Sequence, residues 1–138
     1  MLIGSAVHSL DTKGRVVIPA KYRDDLGSIV FAFRSVDGCI RLYSYEQFQK
    51  VLSKLRESDV TQLSLRRKIS GSAEQLSIDG QGRILLPELL RKKVGITEKI
   101  RMVGMIDWVE LWNEDCYDDD DTMTAEEEKQ AMAALGMS

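Results

Sequence analysis

The chain contains the segment His8-Ser-Leu-Asp-Thr-Lys-Gly-Arg-Val-Val-Ile-Pro-Ala-Lys-Tyr-Arg23, and a similar segment follows later as Leu76-Ser-Ile-Asp-Gly-Gln-Gly-Arg-Ile-Leu-Leu-Pro-Glu-Leu-Leu-Arg91. The two copies align without a gap at a constant offset of 68 positions. The identical positions are Ser9/Ser77, Asp11/Asp79, Gly14/Gly82, Arg15/Arg83, Pro19/Pro87 and Arg23/Arg91. After one inserted residue, Ile-Arg-Leu-Tyr at 40–43 matches Val-Glu-Leu-Trp at 109–112. A match of this length indicates an internal duplication.

Each copy predicts the same series of short elements. In the first copy a strand ends at Asp11, a tight turn contains Gly14, and a second strand covers residues 15–18. Pro19 then opens a short helix, and Gly27 stands where a left-handed residue would end it. The second copy repeats these elements at Asp79, Gly82, residues 83–86, Pro87 and Gly95. Further strands are predicted at residues 29–33, 40–43, 99–105 and 109–112.

Three more helices are predicted, two between the copies and one after them. Apolar residues recur at helical spacing in residues 45–55, which predicts an amphipathic helix. A second helix is predicted from a cap at Ser58 or Asp59 to about Ile69. In the tail, Thr124-Ala-Glu-Glu127 is a capping-box pattern and predicts a short helix.

The duplication predicts an α+β, β-rich fold. A half of about 65 residues can barely bury a core by itself, so the two halves are expected to cover each other's strand edges and apolar faces. We predict tandem ββαβ-type units that form one pseudo-symmetric double-split β-barrel with peripheral helices. The predicted divisions are residues 1–69 for the first repeat with its connecting helices, 70–117 for the second repeat, and 118–138 for an acidic C-terminal tail.

Charge is distributed unevenly along the chain. The formal net charge is −3, but residues 1–112 carry a net +5 and residues 113–138 a net −8. Because binding follows the local potential, the basic body is compatible with nucleic acid despite the acidic total. No apolar run approaches the roughly 20 residues of a membrane span, and residues 1–5 lack the pattern of a signal peptide. We therefore expect a cytoplasmic protein with no membrane partner.

The duplicated Asp-x-x-x-Arg loop carries the candidate chemistry. Asp11 and Asp79 can accept hydrogen bonds from backbone N–H groups of the turn, and Gly14 and Gly82 supply the positive φ that the turn needs. Arg15 and Arg83 would then present oriented guanidinium groups suited to phosphate or to a guanine edge. The DNA-binding residues predicted here are Arg15, Lys13 and Arg83, and the supporting residues are Asp11, Gly14, Asp79 and Gly82. Arg15 and Lys13 are expected to bind DNA more strongly than Arg83, since Gly-Gln replaces Thr-Lys in the second loop.

Other interpretations of these residues remain open. The Asp–Arg pair can be a purely structural staple of the turn, and this role can coexist with ligand binding. The basic clusters at residues 66–68 and 91–93 are interpreted as solvated helix faces, with phosphate contact or ion pairing between subunits as the alternative. His8 is interpreted as packing at a strand edge. No phosphate-binding loop, dinucleotide fingerprint, nucleophile elbow or zinc-protease helix is present, so no catalytic residue, metal site or cofactor is predicted and an enzyme is not expected. Two distant cysteines and one histidine cannot assemble a common zinc site.

These motifs resemble the MraZ family, which is related to the AbrB and MazE swapped-hairpin DNA binders. The resemblance covers roughly residues 2–117. It implies a nucleoid-associated regulator that binds short direct repeats in the promoter of its own division and cell-wall gene cluster, usually as a repressor. It also implies a ring-shaped homo-oligomer, such as an octamer. By position, the family's motif residues are Asp11 and Arg15 in the first copy and Asp79 and Arg83 in the second.

Two other classes of function compete with a DNA-binding regulator. One is an interaction module similar to a MazE-type antitoxin, with the acidic tail wrapping a basic partner. The other is a purely structural oligomer.

Overall fold

The computed structural model describes residues 1–117 and 123–137. Within them the strands are β1 (Ser5–Ser9), β2 (Arg15–Val17), β3 (Ile29–Arg34), β4 (Ile40–Ser44), β5 (Glu74–Ser77), β6 (Arg83–Leu85), β7 (Lys99–Gly104) and β8 (Val109–Asn113). The helices are α1 (Ala20–Leu26), α2 (Tyr45–Arg56), α3 (Leu63–Ser72), α4 (Glu88–Val94) and α5 (Ala125–Ala134), with 3₁₀ turns at Val60–Gln62 and Glu114–Cys116. The predicted α+β class is confirmed. None of the described helices has the length and apolar character needed to cross a membrane.

The predicted elements occur in the predicted order, with differences at four helix ends. Pro19 and Pro87 occupy the position before their helices rather than the first helical position. Gly95 is left-handed, at φ 71° and ψ 20°, whereas Gly27 combines φ 79° with an extended ψ of −166°. The second connecting helix begins later than predicted, because the Asp59 side chain caps a 3₁₀ turn and α3 follows that turn.

The two copies exchange strands. The main sheet is antiparallel, in the order β1-β7-β8-β4-β3-β5, so the first strand of each copy pairs with a strand of the other copy. Strands β2 and β6 form a separate ribbon in which Val16 lies opposite Ile84, its own counterpart in the repeat. Arg41 and Glu110, which are also equivalent positions of the two copies, likewise lie opposite each other in β4 and β8. The copies are therefore related by a local two-fold axis, as the duplication predicted.

The hydrogen bonds do not join the strands of the predicted double-split β-barrel into one continuous sheet. Among the described strands, β1 and β5 remain the two edges of the main sheet, and the β2–β6 ribbon does not pair with either. The ribbon instead contacts the sheet through its buried side chains. Val16 and Ile84 of the ribbon are 1% and 0% exposed and belong to one core cluster with the sheet residues Ile40, Ile100 and Leu111. The result is an open sheet covered by a ribbon.

Two hydrogen bonds fix the ribbon to the loops on either side of it. The Ile18 backbone N–H donates to the Gly82 carbonyl at 2.7 Å, and the Leu86 N–H donates to the Gly14 carbonyl at 2.9 Å. Each bond joins the end of a ribbon strand in one copy to the glycine loop of the other. The two Asp-x-x-x-Arg loops are therefore held at opposite ends of a single ribbon.

Candidate nucleic-acid interface

The first loop is organised by the Asp11 carboxylate. One oxygen accepts hydrogen bonds from the backbone N–H groups of Lys13 at 2.9 Å and Arg15 at 2.8 Å. The other oxygen accepts from Nε of Arg15 at 2.8 Å. The backbone N–H of Arg15, followed by its side chain and the Lys13 N–H, lowers the pKa of Asp11 below its ordinary value. The carboxylate thus holds both the turn and the direction of the arginine.

The second loop reproduces this geometry bond for bond. Asp79 accepts from the backbone N–H groups of Gln81 and Arg83, both at 2.9 Å, and from Nε of Arg83 at 3.0 Å. Its pKa is lowered as well, first by the Arg83 N–H and then by that of Gln81. The loop conformation therefore does not depend on the residues that differ between the copies, Thr-Lys in one and Gly-Gln in the other.

The arginines lie at the surface with half of each guanidinium still available. The Arg15 and Arg83 side chains are 30% and 25% exposed. Their Nε atoms are occupied by the loop aspartates, while their terminal Nη groups make no hydrogen bond to the residues that the structure describes. Each arginine thus offers the paired donors that suit a phosphate or the O6/N7 edge of guanine.

Both arginines are on the outward face of the ribbon. Because side chains alternate along a strand, Arg15, Val17, Arg83 and Leu85 share one face while Val16 and Ile84 point into the core. Arg15 and Arg83 are diagonal neighbours in the ribbon, so their Cα atoms are separated by roughly 7–8 Å. Val17 lies opposite Arg83 and Leu85 lies opposite Arg15, and they are 37% and 56% exposed. Lys13 is exposed on the first loop.

Arg23 and Arg91 pack against the two loop glycines, a contact that the sequence analysis did not predict. Gly14 and Gly82 have φ angles of 82° and 78°. A Cβ atom on Gly82 would lie 2.6 Å from Nη1 of Arg23, and one on Gly14 would lie 3.0 Å from Nη2 of Arg91. Each glycine is therefore covered by the arginine of the other copy's helix.

The position of Arg91 shows that residues 91–93 are not entirely a solvated helix face, as the sequence had suggested. It is half-buried rather than part of a solvated helix face, and its Nε donates to the Leu86 carbonyl at 3.0 Å. The two copies differ here, since Nε of Arg23 is buried without a partner among the described residues. The signal that could have revealed this pair was available: Arg23 and Arg91 are identical at equivalent repeat positions, although exposed helix positions usually diverge.

The other candidate residues named above are not part of the β2–β6 ribbon. Residues 66–68 of α3 are exposed as expected, and His8 is half-buried in the edge strand β1. Cys39 is buried and Cys116 exposed, and neither forms a disulfide. The described part of the chain contains no cluster of three or more metal-ligating side chains. The aspartates at 118–121 fall outside the described residues.

The family model and the similar proteins that match this chain indicate the same family. The family described as "MraZ protein, putative antitoxin-like" matches residues 1–68 and again residues 69–135. A protein named transcriptional regulator MraZ from Acetivibrio thermocellus is 35% identical over 143 residues, covering 99% of this chain and 100% of its own length. Another of that name from Shewanella oneidensis is 38% identical over 125 residues, covering 85% of this chain and 82% of its own length. The double match across nearly the whole sequence, with relatives of similar length, shows that this chain belongs to the MraZ family.

Proposed function

We propose that this protein is a sequence-specific DNA-binding transcriptional regulator, and that it represses transcription from direct repeats in the promoter of its own cell-division and cell-wall gene cluster. The observation that carries the proposal is the pair of oriented arginines on the outward face of one ribbon. The name of the similar proteins, transcriptional regulator MraZ, supports the same function.

The chemistry of the ribbon face suits the major groove. A two-stranded ribbon fits a groove about 12 Å wide, where arginine donates to the O6 and N7 atoms of guanine. Val17 and Leu85, exposed beside the arginines, offer the apolar contact that thymine methyl groups accept. The loop aspartates fix each arginine before binding, so little side-chain freedom is lost when DNA arrives.

The two loops contribute unequally in this proposal. Lys13 gives the first loop a second cation, while the equivalent residue of the second loop is the neutral Gln81. A phosphate beside the first loop can therefore be contacted by Lys13 while Arg15 contacts a base. We propose that Arg15 and Lys13 make the stronger contacts and that Arg83 makes a weaker one.

One ribbon provides few contacts, so assembly is part of the proposal. A ring of identical subunits, such as an octamer, would present the same loops at fixed spacing to a row of direct repeats. Linked binding of this kind can raise avidity by about 10²–10⁴ without a new type of contact. A cyclic array with like-oriented subunits fits direct repeats better than palindromes.

Fluorescence polarisation with a duplex from the region upstream of its own gene tests the proposal. Arg15→Ala is expected to weaken binding by about 5- to 150-fold, since one arginine–guanine contact contributes about 1–3 kcal/mol. Lys13→Ala should weaken it less and reduce the dependence on salt. Arg56→Ala is the matched control, because this substitution removes the same charge from an exposed position in the last turn of α2. Equal affinities for Arg15→Ala and Arg56→Ala, with both proteins folded, would refute the role of the ribbon.

A further inference from the structure

The C-terminal helix α5 has no partner in the described structure. Residues 123–137 are all exposed. The helix is capped, since the Thr124 hydroxyl accepts a hydrogen bond from the Glu127 N–H at 3.1 Å. Helices shorter than about 12–15 residues are nevertheless marginal in water without packing. A ten-residue helix that exposes Met132, with the exposed Leu135 at its C-cap, would therefore gain stability from a surface to pack against.

A basic groove lies between α3 and α4. It has a volume of about 370 Å³, and its charged lining consists of Arg34, Arg67, Lys68 and Lys93 against the one acid Glu74. Leu89, which is 65% exposed, and the buried Leu90 give it an apolar wall. No residue of α3 is buried, so this wall of the groove is also open.

The charge and face of α5 complement this groove. Its first turn holds Glu126, Glu127 and Glu128. Helical spacing places Glu128, Met132 and Leu135 on one face, at positions i, i+4 and i+7. That face can set a carboxylate against the lysines and arginines while its apolar part covers Leu89.

The chain leaves the body close to the groove. Nδ2 of Asn113, at the end of β8, donates to the Gly95 carbonyl at 2.6 Å, and Gly95 ends α4 only two residues after Lys93. Only seven positions of the sequence separate Tyr117 from the first residue of α5, Ala125, so α5 is covalently held at a high effective concentration near its own α4.

We propose that α5 docks in the α3–α4 groove of its own chain, with Glu128 toward the basic side chains and Met132 toward Leu89. Docking would neutralise part of the positive surface of the body. If the proposed function holds, the docked helix also weakens the general attraction of the protein for DNA phosphates, and its release strengthens that attraction. The docking itself does not depend on DNA binding.

Disulfide trapping in the full chain tests the contact. In a Cys116→Ser background, Leu89→Cys combined with Met132→Cys is expected to form an intrachain disulfide under mild oxidation, as identified by peptide mapping. Leu89→Cys combined with Gln130→Cys is the matched control, because Gln130 is on the opposite face of α5. The proposal is overturned if both pairs or neither pair cross-link, or if the disulfides join two chains, which would assign the groove to a neighbouring copy.

Amide hydrogen exchange tests the same contact without cysteines. In the unmodified protein the α5 amides should exchange at least about tenfold more slowly than in an Arg67→Gln/Lys68→Gln/Lys93→Gln variant, which leaves the sequence of α5 unchanged but removes the complementary charge of the groove. Equal exchange rates in the two proteins would overturn the proposal. Because neither readout involves DNA, failure of the docking and failure of the proposed function are distinguished.

Discussion

Alanine at Gly82 is expected to destabilise the fold by about 2–3 kcal/mol. Gly82 has a φ of +78°, and an L-residue in the left-handed region costs roughly 1–2 kcal/mol. The new Cβ would also lie 2.6 Å from Nη1 and 2.7 Å from Cζ of Arg23, so that side chain must move from its half-buried place. Displacing a packed guanidinium is expected to add about 1 kcal/mol.

Two other glycines of the chain separate these contributions. Gly38 has a φ of +96° but nothing within 4 Å of its Cβ position, so Gly38→Ala carries the backbone strain without the clash. Gly71 lies in α3 with open space around it and no positive φ. Gly71→Ala should therefore stabilise the protein, by up to about 1 kcal/mol, because alanine is the better helix former.

Urea denaturation followed by the fluorescence of Trp108 and Trp112 measures all three variants. They must be compared at one protein concentration, because self-association shifts apparent stability. From highest to lowest free energy of unfolding, the expected order is Gly71→Ala, wild type, Gly38→Ala and then Gly82→Ala. If Gly82→Ala is no less stable than Gly38→Ala, then Arg23 does not constrain the second loop and the cross-copy contact is refuted.

Three further predictions concern titration, thiols and packing. The pKa values of Asp11 and Asp79 are both lowered from 3.8, so the hydrogen bonds of these carboxylates should persist above pH 3.8 and be lost as the pH falls through the lowered pKa. NMR of the loop amides can follow this loss, and a titration midpoint at or above pH 3.8 would contradict the prediction. Burial raises the pKa of the Cys39 thiol to about 12, so iodoacetamide at pH 8 should modify the exposed Cys116 and spare Cys39 in the native protein, as mass spectrometry would show. Ile84→Ala, on the buried face of the ribbon, should cost about 2–5 kcal/mol in urea unfolding, whereas Leu85→Ala on the exposed face should change it by about 0.5 kcal/mol or less.

Much of the fold could be predicted because its signals are local. The repeated Asp-x-x-x-Gly-Arg run contains the carboxylate, the glycine and the strand start that make the turn, and the structure shows those bonds within five consecutive residues. The spacing of apolar residues likewise predicted α2 over residues 45–55, one residue short of its end at Arg56. The Thr124 capping pattern predicted the beginning of α5.

Long-range contacts could not be predicted in the same way. A strand such as β1 has the same pattern whether it pairs within its own copy or, as here, with β7 of the other. The sequence therefore predicted a double-split barrel without its strand order, since alternation shows which face is buried but not which edges are joined. The contact of Arg23 with Gly82 also depends on the exchange, because it places the helix of one copy against the loop of the other.

The central claim is that arginines held on a duplicated ribbon read DNA, with several subunits acting together. Sequencing the fragments that the purified protein retains from sheared genomic DNA tests it most directly. We expect one short enriched motif, present as direct repeats at constant spacing upstream of its own gene, and loss of that enrichment in Arg15→Ala. Retention of fragments without a shared motif, or equal enrichment by Arg15→Ala, would contradict it.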